Sequence, residues 1–146
     1  MVSAPLTREE LRSFLRAHKL VVLSSLGPDG APQAAVVGYA VSDALELVFD
    51  TLTSTRKYRN LRADPRAALV VFEGERTVQL EGTVDFPEGD ELERLRNVYF
   101  GPYPDGRERL AWTGITHGRV TLTWARLSDY AVEPPRIVEL AAEAFR

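Results

Sequence analysis

The sequence has no cysteine among its 146 residues. Disulfides, thiolate metal sites and cysteine nucleophiles are thereby excluded. Histidine is nearly absent too: His18 and His117 are the whole supply, beside a single methionine, Met1. Acid–base chemistry near neutral pH and axial ligation of a haem iron thus have few candidates beyond the tyrosines. Lysine is almost missing, since Lys19 and Lys57 are the only two among 18 basic residues. The net charge is -3 and no long basic run occurs, so nucleic acid is not an expected partner. No apolar run approaches the ~20 residues that span a bilayer. The segment Met1-Val2-Ser3-Ala4-Pro5 lacks the charged and apolar regions of a signal peptide. A cytoplasmic protein without a membrane partner is expected.

What is present is an ordinary globular composition, 45% hydrophobic and 27% charged. The length suits one domain over residues 1–146, with 131–146 as a C-terminal tail. Such a chain can bury a core without metal or disulfide staples. Thr7 and Glu10 have capping-box spacing, and Leu6 and Leu11 have staple spacing, which predicts a first helix through about Ala17. Leu20–Leu26 and Gln33–Val41 read as strands joined by the turn Gly27-Pro28-Asp29-Gly30. Ser42-Asp43 leads into a third strand, Leu45–Asp50, and connections this short require antiparallel pairing. Ala34, Ala35 and Gly38 keep the middle strand's surface low, which suits either a flat ligand or a crowded core.

Tyr58–Ala63 is amphipathic and must end near Asp64-Pro65. Ala67–Phe72 and Thr77–Asp85 are further strands. In the second of these, Val78, Leu80 and Val84 share one face, while Gln79 and Glu81 lie on the other, toward solvent or a site. A helix begins at Pro87-Glu88-Gly89-Asp90. The run Gly101-Pro102-Tyr103-Pro104-Asp105-Gly106 reads as irregular, and the 101–118 loop as a flap. Arg119–Ala125 alternates as a sixth strand, and the tail from Glu133 starts extended and ends in a short helix. About six strands with mainly short antiparallel connections, plus about three helices, predict a closed or nearly closed β-barrel with helices outside.

The stretch Asp50–Asn60 carries the chemistry. Four hydroxyls, on Thr51, Thr53, Ser54 and Thr55, precede Arg56 and Lys57 at the start of a helix. A helix N-terminus offers unpaired N–H groups and partial positive charge, so hydroxyls and cations there suit a phosphate. Cations in a first helical turn oppose the helix dipole, a cost that a bound anion offsets. The same residues also read as an N-cap followed by two solvated cations. His18 reads as a helix-terminus residue. His117, beside Gly118, reads as a surface or interface residue or as a proton donor.

Four segments give this chain its resemblance to the pyridoxamine 5'-phosphate oxidase-like family of FMN-binding split β-barrels. They are Phe49-Asp50-Thr51 with Thr55-Arg56-Lys57, the run Asn60–Val70, the run Arg76–Gly82, and the turn Gly27–Pro32. The resemblance spans about residues 7–85. It implies a mainly β (α+β) fold, a six-stranded antiparallel split β-barrel with about three flanking helices. It further implies a homodimer holding two FMN at its interface. Carried over by position, Thr51, Thr55, Arg56 and Lys57 hold the FMN phosphate. Backbone around Val36 and Val37 lies against the isoalloxazine, Asp50 lines the same groove, and Thr77 or Gln79 reaches in from the partner subunit.

Two departures stand out. Where the oxidase proper has a phosphate-binding arginine on the second strand, this chain has Ala34-Ala35. Where it has an Arg-Leu-His-x-Arg signature for its substrate, this tail has Pro134-Pro135-Arg136. The expected function is therefore an FMN-binding oxidoreductase with a small-molecule substrate other than pyridoxamine phosphate. The alternatives are an F420-binding reductase on the same fold and a non-catalytic dimeric flavin-binding protein. Haem, which some related barrels bind, is disfavoured by the shortage of axial ligands.

Overall fold

In the computed structural model, residues 4–145 are described. Thr7 caps α1 (Arg8–Arg16) by accepting the Glu10 backbone N–H at 3.1 Å. The buried face of α1 is Leu11, Phe14 and Leu15. β1 (Leu20–Leu26) and β2 (Pro32–Gly38) form a hairpin with Val22 opposite Val36. In its turn, the Gly30 N–H donates to the Gly27 carbonyl, and the Ala31 N–H to Asp29 Oδ1. Next come β3 (Ala40–Val41), β4 (Leu47–Leu52), α2 (Arg56–Ala63), β5 (Arg66–Glu73), β6 (Arg76–Asp85) and α3 (Gly89–Phe100). A 3₁₀ helix (Pro104–Ala111), β7 (Ile115–Asp129), β8 (Arg136–Glu139) and a second 3₁₀ turn (Ala142–Phe145) complete the described chain.

The strands form one sheet in the order β2-β1-β5-β6-β7-β4-β3, with β8 added along β7. Every pairing between these strands is antiparallel, and one isolated parallel bridge joins Leu6 to Leu140. β2 and β3 stand at opposite ends of that order, yet only Tyr39 separates them in sequence. The sheet must curl until its ends meet, which makes a split barrel. Tyr39 pins the seam: its N–H donates to the Lys19 carbonyl, and its buried hydroxyl donates to the Leu15 carbonyl of α1. Arg16 adds a bond to the Val41 carbonyl at 2.9 Å. The barrel interior is filled from every strand, with Leu23, Val37, Leu69, Leu80 and Val120 among its buried side chains. A smaller cluster, Ala40, Val48, Leu95, Tyr99 and Phe100, lies under α3.

The expected architecture holds, but several boundaries differ. The sheet has eight strands rather than six. The expected strand Gln33–Val41 is two strands, because buried Tyr39 breaks the ladder. The sixth strand starts at Ile115 rather than Arg119 and runs 15 residues. The tail contributes β8 before its short 3₁₀ turn. Within 101–118, the segment expected to be irregular contains the 3₁₀ helix. That helix is held to the barrel by Arg109 Nε donating to Asp50 Oδ2 at 2.7 Å, and just before it Tyr103 donates to the Lys19 carbonyl. Tyr103 packs over Gly38, where a Cβ would stand 2.9 Å from its hydroxyl oxygen.

His117 is neither on the surface nor a proton donor within reach of a groove. It is 1% exposed on β7, and its ring meets Tyr99 and Phe100 edge-on. Neither ring nitrogen has a hydrogen-bond partner. Burial pushes its pKa down to about 4; the Asp50 charge opposes that shift, and Arg96 and Arg109 reinforce it. The unfolded chain, with histidine near 6.5, then binds more protons than the folded chain between pH 6.5 and 4. Stability is therefore expected to fall as pH drops through that window. Urea melts at pH 7 and pH 4.5 should show the loss, and His117→Leu should reduce it. A pH dependence unchanged in His117→Leu would remove His117 as its source.

Candidate functional site

Thr55 organises the strand-to-helix segment. Its hydroxyl donates to the Leu52 carbonyl at 2.9 Å and accepts the Tyr58 N–H at 3.3 Å. It is therefore the N-cap of α2, which begins at Arg56, two residues before the expected Tyr58. The first turn of α2 contains no acid. Thr51 Oγ1 lies 3.1 Å from Thr55 Oγ1 and braces it from behind.

The start of α2 faces β1 and β2 across a groove of about 300 Å³. Its walls include Thr55, Arg56 and Lys57 on one side and Gln33, Ala34 and Ala35 on the other. No carboxylate lines it, and among the described residues neither Arg56 nor Lys57 enters an ion pair. Two cations and a helix N-terminus beside a low strand surface make a fitting receptor for a phosphate that carries a flat group. The Thr55 hydroxyl, whose one proton goes to the Leu52 carbonyl, acts as the helix cap and not as a phosphate donor. The small side chains at 34 and 35 form the groove wall, so the open alternative between ligand surface and crowded core resolves toward an accessible surface.

Other expected site residues are placed differently. Thr51 is 5% exposed and supports Thr55 instead of lining the groove. Asp50 does not line the groove either, and it points to the opposite face of β4 from Thr51. Its carboxylate is committed to Arg109, whose guanidinium also reaches the Tyr99 hydroxyl at 3.3 Å. Val37 is 8% exposed and belongs to the core, while Val36 is 63% exposed on the outer face of β2. β2 pairs along one side only, so its other backbone edge has no strand partner among the described residues. Thr77 and Gln79 lie on β6, outside this groove in the same chain.

Sequence reasoning missed three residues at the groove. Buried Asn60 donates from Nδ2 to Gln33 Oε1 at 2.9 Å and to Ser25 Oγ at 3.2 Å. This bridge ties α2 to both strands of the first hairpin and sets the groove's width. The signal was an asparagine inside a helix, a residue that is helix-poor and usually exposed.

A family profile described as pyridoxamine 5'-phosphate oxidase matches residues 7–125. The chain belongs to that family. A pyridoxine/pyridoxamine 5'-phosphate oxidase of Burkholderia lata is 33% identical over 138 residues, covering 88% of this chain and 63% of its own length. The chain thus spans less than two thirds of that relative. Among solved structures, a heme binding protein from Mycobacterium smegmatis superposes with TM-score 0.82 at 24% identity, covering 99% of this chain and 61% of that one. An FMN binding protein of Nostoc punctiforme, related to pyridoxamine 5'-phosphate oxidase, gives TM-score 0.69 at 15% identity, with 94% and 91% covered. At these identities the structural likeness is one of fold.

Proposed function

We propose that this member of the pyridoxamine 5'-phosphate oxidase family is an FMN-binding oxidoreductase that acts as a homodimer. The observation that carries the reading is the convergence of Thr55, Arg56 and Lys57 on a carboxylate-free groove beside Ala34 and Ala35. Arg56 and Lys57 hold the phosphate, their own backbone N–H groups at the start of α2 complete its shell, Thr55 fixes that helix start as its cap, and the edge of β2 around Val36 borders the ring. FMN supplies the redox chemistry, and the protein supplies position and polarity. The groove holds only the phosphate end in one subunit, so a second copy must cover the ring. In this reading Thr77 and Gln79, on the outer face of β6, reach in from the partner. The exposed Leu20, Val36 and Phe72 on the sheet's outside supply apolar area for that contact.

The substrate is proposed to differ from pyridoxamine phosphate. Arg136, which stands in the tail region where the oxidase binds its substrate, is bound instead by Glu10 of α1 at 2.6 Å. Haem fits the described residues poorly. His117 is enclosed by aromatic rings, and His18 Nε2 sits 3.1 Å from Glu73. Met1 lies outside the described residues.

The test is a visible absorption spectrum of the protein after FMN addition and gel filtration, with sedimentation on the same sample. Retained flavin bands on a dimer are expected, and turnover of a reduced nicotinamide cofactor should follow. Retained flavin without turnover would favour the non-catalytic alternative. Loss of all flavin, with a deazaflavin retained under the same conditions, would favour F420.

A further inference from the structure

Beyond the phosphate groove lies a second and larger cavity of about 550 Å³, between α2 and the β1–β2 turn. The two cavities share Gln33 and Arg56, so they meet at the phosphate end of the groove. One helix face lines the second cavity: Arg56, Arg59, Asn60 and Ala63 recur at the spacing that stacks side chains along α2. Gly27, Pro28 and Gly30 form the opposite wall, low enough for a flat group. Three guanidiniums, from Arg56, Arg59 and Arg66, face a single carboxylate, Asp64.

The charge is not explained by packing. α2 has the sequence RKYRNLRA, four cations and no acid. Arg56 and Arg59 are three apart, as are Arg59 and Arg62, and like charges at neighbouring helix positions repel. Arg59 is anchored through its NH1 to the Ser54 carbonyl at 2.6 Å, and Arg66 through both Nε and NH2 to the Asp64 carboxylate, at 3.1 and 2.7 Å. Arg59 keeps most of its planar fork, which matches a phosphate, and Arg66 keeps the N–H groups of its NH1 for an anion. A monophosphate flavin ends at the first groove and leaves the second without a ligand.

We infer that the second cavity is a subsite for a nucleoside phosphate joined to the flavin phosphate, so that the groove takes a flavin dinucleotide of the FAD class. Arg59 and Arg66 bind the second phosphate, and the Gly27–Gly30 turn with Ala63 borders the nucleoside. The inference rests on the flavin reading above, but its own residues allow a separate test.

The protein is titrated with FMN, FAD and ADP, following flavin fluorescence for the first two and heat for the third. FAD is expected to bind at least tenfold more tightly than FMN. The double variant Arg59→Ala, Arg66→Ala should erase that advantage and leave FMN affinity within about twofold; both side chains are exposed, and a thermal melt confirms folding. ADP alone should bind to the parent and not to the double variant. FAD binding no better than FMN, or a double variant that weakens both flavins equally, overturns the subsite. If neither flavin binds but ADP does so through Arg59 and Arg66, the nucleotide subsite stands and the flavin reading falls. If nothing binds, both fall.

Discussion

Replacing Arg56 and Lys57 together with alanine is expected to weaken FMN binding by about two decades and leave the melting temperature nearly unchanged. A hydrogen bond to a charged group contributes about 1.5–3 kcal/mol. Taking the low end twice, because Arg56 is exposed and screened, gives about 3 kcal/mol, or roughly two decades of affinity. Stability should not suffer, since among the described residues neither side chain forms an ion pair and both oppose the α2 dipole. Any small change in melting temperature is expected to be upward, because two cations leave the positive end of the helix. Flavin fluorescence titration of parent and variant decides the matter. An unchanged FMN dissociation constant would move the phosphate elsewhere.

A second substitution, Gly82→Ala, is expected to damage the barrel itself. Gly82 sits where the β6–β7 register shifts, after Glu81. A Cβ built there would lie 2.4 Å from the Thr121 carbonyl oxygen and 3.1 Å from its carbon. Those are backbone atoms in the longest ladder of the sheet, so no side-chain rotation relieves the contact. Overpacking a tight site costs about 1–3 kcal/mol, and a backbone clash belongs at the upper end. For a chain of this size about 3 kcal/mol lowers the melting temperature by roughly 10 °C. Gly74→Ala is the control. Nothing lies within 4 Å of its built Cβ, and its φ of +55° alone penalises alanine, by about 1 kcal/mol. If the two variants melt together, the clash at Gly82 is absorbed by the bulge.

The phosphate segment was legible because its residues are contiguous: one strand, one cap and one helix turn place Thr55, Arg56 and Lys57 side by side. The barrel was legible because short turns force antiparallel neighbours. What escaped were pairings between distant residues. Arg109 meets Asp50 across 59 positions, and neither neighbourhood marks the other as its partner. Asp50 and Thr51 were placed together on one wall although strand alternation separates them. β3 and β8, of two and four residues, are too short to show a period. In the 3₁₀ helix, Pro104 and Gly106 masked a local helix that tertiary contacts hold in place.

The seam at Tyr39 has a consequence for how the chain acquires its fold. The β1–β2, β3–β4 and β5–β6 pairings each join near neighbours in sequence, whereas β4 must wait for β7, with Val48 opposite Arg119. Closing so long a loop costs entropy before any ladder bond repays it, which slows folding. The walls of the phosphate groove all come from residues 23–57. A ribosome delivers that part of the chain before the strand that closes the barrel.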